Sequence, residues 1–238
     1  MKKSFITFSG GDNKYHEAAN RLKNQANRLN LFDECIAFSD TDLKNDSEFW
    51  MKHGEFIENN KRLYGYDIWK PYIIKKKMEQ LNNGDILLYL DSGCEIDYRK
   101  KNLFILFFEI IKTKYLIATF ICDDKSWCKM DLILKLDMLN DKYLSTYQHQ
   151  AGAILFLVCD KTRNLVNMWY DLCCDYHNID DTPSISPNFE CFNEHRHDQS
   201  VFSLLTKKYD LYNNKEYDLN NIIEYVRNIS GTSFFNFI

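Results

Sequence analysis

The chain has 238 residues, of which 45% are hydrophobic and 15% aromatic, enough to fill one substantial α/β core or at most two small ones. A formal charge of −4 argues against nucleic acid as the main partner, because phosphate backbones are held by basic surfaces. No apolar stretch is long enough to span a bilayer, and the amino terminus opens on a strand rather than on a signal peptide. The eight cysteines include no CxxC pair, which argues against structural zinc and for a reducing, cytoplasmic setting.

In chain order, 4–8 reads as a first strand ending at Ser9-Gly10-Gly11-Asp12. Tyr15, Ala18, Ala19, Leu22, Ala26 and Leu29 then recur at helical spacing. A second strand covers 32–38, and a polar, acidic loop is expected through Asp46. The pattern predicts a helix over 66–81 with Pro71 in its first turn, where no backbone donor is needed. The uninterrupted apolar run 86–90 suits a strand buried on both faces, and it stops on Asp91-Ser92-Gly93-Cys94-Glu95. A helix over 98–112, strands over 115–121 and 151–158, and a helix over 161–177 follow. The Pro-containing stretch 180–192 reads as a loop, and Asp198 can cap a last helix. From Asn213 onward polar and aromatic residues alternate without a clear period. The expectation is one domain, 1–212, with a C-terminal extension, 213–238, that packs on it or on a partner. Alternating strands and helices indicate an α/β fold with a mostly parallel central sheet flanked by helices.

Ligands gather at the carboxyl ends of strands in such sheets. Ser9-Gly10-Gly11 is either a plain turn or a close approach to a nucleotide, with Tyr15 nearby. Within RLYGYDIWKPY, Arg62 and Lys70 bracket a Gly-aromatic segment and are either surface residues or cations for a diphosphate. Asp91 and Glu95 could share a hard divalent ion, or Asp91-Ser92-Gly93 could be a capping turn. His195 and His197, two apart, would point to different sides of a helix, which disfavours a zinc pair. Asp198 either caps its helix or faces a substrate.

Together these segments resemble the GT-A (Rossmann-like) glycosyltransferases, in which a buried strand ends in a D-x-D motif that holds a metal on a donor diphosphate. Tyr89-Leu90-Asp91-Ser92-Gly93 matches the first acid and departs at the second, which is Gly93. Gln150-Ala151-Gly152 is similar to the N-A-G strand of the retaining branch typified by bacterial lipopolysaccharide galactosyltransferases and glycogenin. Asp198-Gln199-Ser200 resembles its D-Q helix start. GYDIWKPYIIKK and EHRHDQS also look like small modules of capsule-building bacteria and large DNA viruses, whose setting would be the host cytoplasm.

The resemblance implies transfer of a hexose or deoxyhexose from a nucleotide sugar, UDP-linked by preference, to a glycan or other hydroxyl acceptor with retention. It implies Mn²⁺ or Mg²⁺ as cofactor, held by Asp91 with Glu95 or His197. Asp198 and Gln199 would face the reacting carbon. Thr7, Phe8, Ser9, Tyr15, Arg62, Lys70, Asp91, Ser92, Gly93, Gln150, Ala151 and Gly152 would bind the donor. A metal-dependent phosphohydrolase and a catalytically silent nucleotide-sugar or glycan-binding module are the rival functions.

Overall fold

The run Ile86–Leu90 forms a strand whose five side chains are all fully buried, as its lack of alternation requires. In the computed structural model, which describes residues 1–212 and 217–235, it lies at the centre of a five-stranded sheet. The main elements in chain order are β1 (Lys3–Ser9), α1 (Asn13–Leu29), β2 (Glu34–Ser39), α2 (Asp40–Asn45), α3 (Ser47–Asn59) and α4 (Trp69–Glu79). They continue with β3 (Ile86–Leu90), β4 (Glu95–Ile96), α5 (Lys101–Lys114), β5 (Leu116–Asp123), β6 (Tyr147–Leu157), α6 (Asp160–Cys173), α7 (His197–Lys208) and β7 (Ile223–Glu224).

The sheet order is β2-β1-β3-β6-β5. β1 pairs in parallel with β2 and β3, whereas β6 is antiparallel to both β3 and β5. Four strands therefore run one way and β6 runs against them. Its beginning, not its end, lies at the carboxyl edge of β3. Residues 151–153 of β6 have no register partner on β5, a bulge beside the strand end that carries Asp91.

Successive β3 side chains enter opposite layers. Leu87 and Tyr89 pack with Ile74, Trp169 and Phe202 from α4, α6 and α7. Ile86, Leu88 and Leu90 pack with Leu22 and Ala26 of α1 and with Phe104 and Phe108 of α5. Helices thus cover both faces, and water is excluded from the whole of β3.

The expected loop through Asp46 is instead helical. Ser39 and Asp42 form a reciprocal capping box at the start of α2, and the Asp46 side chain accepts from the Phe49 N–H to cap α3. The acidic residues that suggested a loop are helix-start residues. α3 then buries Phe49, His53 and Ile57 four residues apart. The C-terminal residues described, 217–235, pack on the same body, with β7 antiparallel to β4. The proposed boundary at 212/213 adjoins residues 213–216, which lie outside the described residues, as do 236–238 of the expected terminal packing segment.

Candidate functional site

A left-handed turn leads into α4. Leu63, Tyr64, Gly65, Tyr66 and Asp67 have φ values of 49°, 53°, 81°, 54° and 62°. Only Gly65 adopts this region without a steric penalty, and a Cβ there would lie 2.6 Å from Ile57 Cγ1. The other four are L residues in a conformation costing about 1–2 kcal/mol each. Such strain persists where the surroundings over-determine it, commonly at functional sites. Here it sets Asp67 one turn ahead of Lys70, while Trp69 stacks on Phe8 at 3.8 Å and its indole N–H donates to the Leu63 carbonyl.

Lys70 is 3% exposed and stands among three carboxylates. Its Nζ lies 3.2 Å from Asp67 Oδ2, 3.4 Å from Asp91 Oδ1 and 3.4 Å from Asp198 Oδ2. Burial alone would strip the charge from Lys70, but Asp198, Asp67 and Asp91 outweigh it and hold its pKa well above the usual lysine range. Burial raises the Asp198 carboxyl well above its ordinary range, and Asp67 and Asp91 add to the rise against the pull of Lys70. Asp67 is pushed up to about 6, by burial first and then by Asp91, again against Lys70. Tyr89 Oη donates to Asp91 Oδ1 at 2.6 Å and Tyr225 Oη donates to Asp91 Oδ2 at 3.1 Å.

This cluster forms the floor of a cavity of about 1060 Å³. Phe8, Ser9, Tyr15, Arg62, Lys70, Asp91, Ser92, Gly93, Gln150, Gly152, Asp198 and Gln199 all line it. Five distant segments of the sequence therefore do meet. Gly152 is needed there, because a Cβ would lie 2.1 Å from Tyr225 Oη and 2.5 Å from Asp91 Oδ2. Gln150 accepts from Thr119 Oγ1, and the Gln199 side-chain amide donates to Gln148 Oε1.

Other expected residues lie away from the cavity or are engaged in other contacts. Thr7 and Ala151 are fully buried within the sheet and do not line the cavity, since their side chains fall on core positions of β1 and β6. Arg62 reaches the cavity but is engaged at the rim by Asp181 and Glu194, 3.0 and 3.2 Å away. Asp198 is the second residue of α7 and makes no cap, so its carboxylate is left for Lys70. Glu95 is fully buried away from the cavity and accepts from Gln25, Asn228, Ser233 and the Phe234 N–H. His197 lines the cavity with its ring packed on Tyr66; its Nδ1 is bonded to the Ile179 carbonyl and its Nε2 has no hydrogen-bond partner among the described residues. His195 is tied to Lys129 N and the Asn178 carbonyl.

These placements decide the fit of a protein-held Mn²⁺ or Mg²⁺. Glu95 is fully engaged, Gly93 offers no side-chain oxygen, and Asp91 already accepts from two tyrosines beside the Lys70 ammonium. Among the described residues no three His, Cys, Asp or Glu side chains converge as a metal site. The donor set does not fit a divalent ion held in the D-x-D manner.

Asp67, Tyr225 and Arg227 are cavity residues that the sequence reading passed over. Asp67 stands three residues before Lys70, a spacing that brings side chains together on a helix and could have flagged it. Tyr225 and Arg227 lie where the sequence shows no period and carried no such signal.

No family model matches the chain, and no curated protein matches it. Three similar solved structures are the apo form of mouse xyloside xylosyltransferase 1, a glycosyltransferase involved in glycosylation of the PBCV-1 major capsid, and the galactosyltransferase LgtC with donor and acceptor sugar analogs. The first is 11% identical over 89% of this chain and 83% of its own, with a TM-score of 0.45. The second is 9% identical over 72% and 66%, at 0.39, and the third 13% identical over 85% and 70%, at 0.46. All three neighbours are glycosyltransferases, at scores too low to carry an argument about this chain's own chemistry.

Proposed function

We propose that the protein transfers a hexose or deoxyhexose from a nucleotide-diphosphate donor, UDP-linked by preference, to a glycan or other hydroxyl acceptor. The observation that carries this is the buried Lys70 held by Asp67, Asp91 and Asp198 on the floor of a large cavity at the carboxyl edge of the sheet. Cleavage of a sugar–diphosphate bond develops negative charge on the leaving group, and a fixed cation in a water-poor site stabilises it. Lys70 is that cation, and Asp91 orients it.

Asp198 and Gln199 would stand beside the reacting carbon, and Ser9, Tyr15 and Gln150 would contact the nucleotide and sugar. Retention follows from the likeness of Asp198-Gln199 to the D-Q helix start; with inversion, Asp198 or Glu194 would be the base for the acceptor hydroxyl. No step is assigned to a metal. A metal-dependent phosphohydrolase is disfavoured by the same lack of converging ligands among the described residues.

The charge of −4 argues against nucleic acid as the main partner. The eight free cysteines support a reducing, cytoplasmic setting. Among the described residues no helix is long and apolar enough to cross a membrane.

The test is a thermal-shift panel of UDP-, GDP-, CMP- and dTDP-sugars, followed by donor hydrolysis. A ligand that binds the native state raises the melting temperature. At least one donor should do so and be slowly hydrolysed, with turnover abolished in Asp91→Asn. A silent panel refutes donor binding, and binding without turnover across many acceptors leaves a binding module. NMR of the product then assigns the linkage, and an inverted one removes the retaining claim.

A further inference from the structure

The glycine at position 93 has a structural cause. A Cβ there would lie 3.2 Å from the Arg227 Cα and 3.5 Å from its carbonyl carbon, and the Gly93 carbonyl accepts from the Asn228 N–H at 2.9 Å. The backbone of the C-terminal segment thus fills the space that a second acid would occupy. It is fastened there by Arg21, a buried guanidinium that donates to the Asn228 and Ser230 carbonyls on one side and to the Ser92 and Cys94 carbonyls on the other. Arg227 itself is exposed, lines the cavity with Asp91 and Ser92, and is held at φ 53°.

The charges around the cavity give this arginine its meaning. Lys70 faces three carboxyls, Arg62 faces two, Arg196 is 3.2 Å from Glu194, and Lys44 is 2.8 Å from Asp40. Each shares its charge with these acids, so a diphosphate calls for a further cation beside Lys70. Arg227 and Lys61 are the cavity cations without an ion pair among the described residues. Lys61 follows α3, whereas Arg227 packs directly on the Asp91–Gly93 corner.

We propose that Arg227 binds the diphosphate of the donor at the corner where a D-x-D carboxylate would hold a metal, so that donor binding needs no protein-held divalent ion. This rests on the transferase reading above. A guanidinium suits the task, since its planar fork donates two parallel hydrogen bonds to a phosphate and keeps its charge at any working pH. The exchange is one of charge carriers: an acid that recruits a cation is replaced by a glycine that admits one.

The experiment is calorimetric titration of the full chain with UDP, GDP, ADP and dTDP, each in EDTA and in Mn²⁺. It uses the wild type, Arg227→Ala, Arg227→Lys and, as a control, Lys61→Ala, with circular dichroism to confirm folding. The wild type should bind one of these nucleotides in EDTA. Arg227→Ala should weaken it about tenfold or more, the loss expected for a hydrogen bond to a charged group. Arg227→Lys should fall between, Lys61→Ala should bind as the wild type, and the matching nucleoside should be indifferent to all three changes. Equal binding by Arg227→Ala and the wild type overturns the proposal, as does wild-type binding seen only with Mn²⁺. Binding of no nucleoside diphosphate in either condition overturns the transferase reading together with it.

Discussion

Lys70 and the three acids around it set the behaviour of the site at the level of single residues. Lys70→Met removes one ammonium and leaves three carboxyls facing one another in a buried space. Breaking a buried pair in this way costs about 3–5 kcal/mol. Denaturant titration should show a loss of that size, with donor hydrolysis abolished. A loss below about 1 kcal/mol would mean that the cluster is not coupled as described. Gly152→Ala should keep the fold but displace Tyr225 from Asp91, lowering turnover about tenfold or more, comparable to a lost charged hydrogen bond. Unchanged kinetics would show that the Tyr225–Asp91 contact is dispensable. Asp67 gives a pH signature. Its folded pKa of about 6 lies above the ordinary 3.8, so the native state holds the extra proton between those values. The stability from this group is therefore present below the lower value and lost as pH rises through the upper one. Asp67→Asn should flatten that part of the stability–pH profile, and an unaltered slope would count against the assignment.

At the level of elements, the C-terminal segment is the part that sequence periodicity could not place. β3 was legible because five consecutive apolar residues ending on an acid have few other interpretations, and α1 because its apolar residues keep a strict helical period. Asp40–Asn45 reads as a loop in sequence because Ser, Asp and Asn mark both loops and helix starts, and only the capping geometry separates the two. Charge next to a strand end suggests a ligand role for Glu95. Its role instead depends on Asn228, Ser233 and Phe234, more than 130 residues away, which no local pattern reveals. Burial raises the Glu95 carboxyl, but hydrogen bonds from Ser233, the Phe234 N–H, Asn228 and Gln25 outweigh it and leave its pKa below the ordinary value. A depressed acid contributes stability above its unfolded pKa that is lost as pH falls through the folded one. Glu95→Gln should therefore blunt the acid-side loss of stability. In hydrogen exchange, the amides of Asn228 and Phe234 should lose protection first. Undiminished protection there would show that the segment is held by other contacts.

For the whole molecule, the reversed β6 brings the start of one strand to the ends of others, so that the floor of the cavity draws on residues from 67 to 227. Most of that floor could be named from sequence because its members sit at strand ends and helix starts. Asp67, Tyr225 and Arg227 could not, since their roles depend on tertiary placement. The left-handed turn before α4 has a consequence for how such a chain can be improved. Leu63 is about half exposed, so replacing it by glycine relieves one residue of the turn while removing only a partly covered side chain. Leu63→Gly should gain about 1 kcal/mol in denaturant titration, the steric penalty it relieves. The same change frees the segment that fixes Asp67 against Lys70, so turnover should fall as the melting temperature rises. A loss of stability would show that the turn is not strained. The other three L residues of the turn, Tyr64, Tyr66 and Asp67, pack or pair through their side chains, so glycine there would exchange strain for lost contacts and would cost more than it relieves.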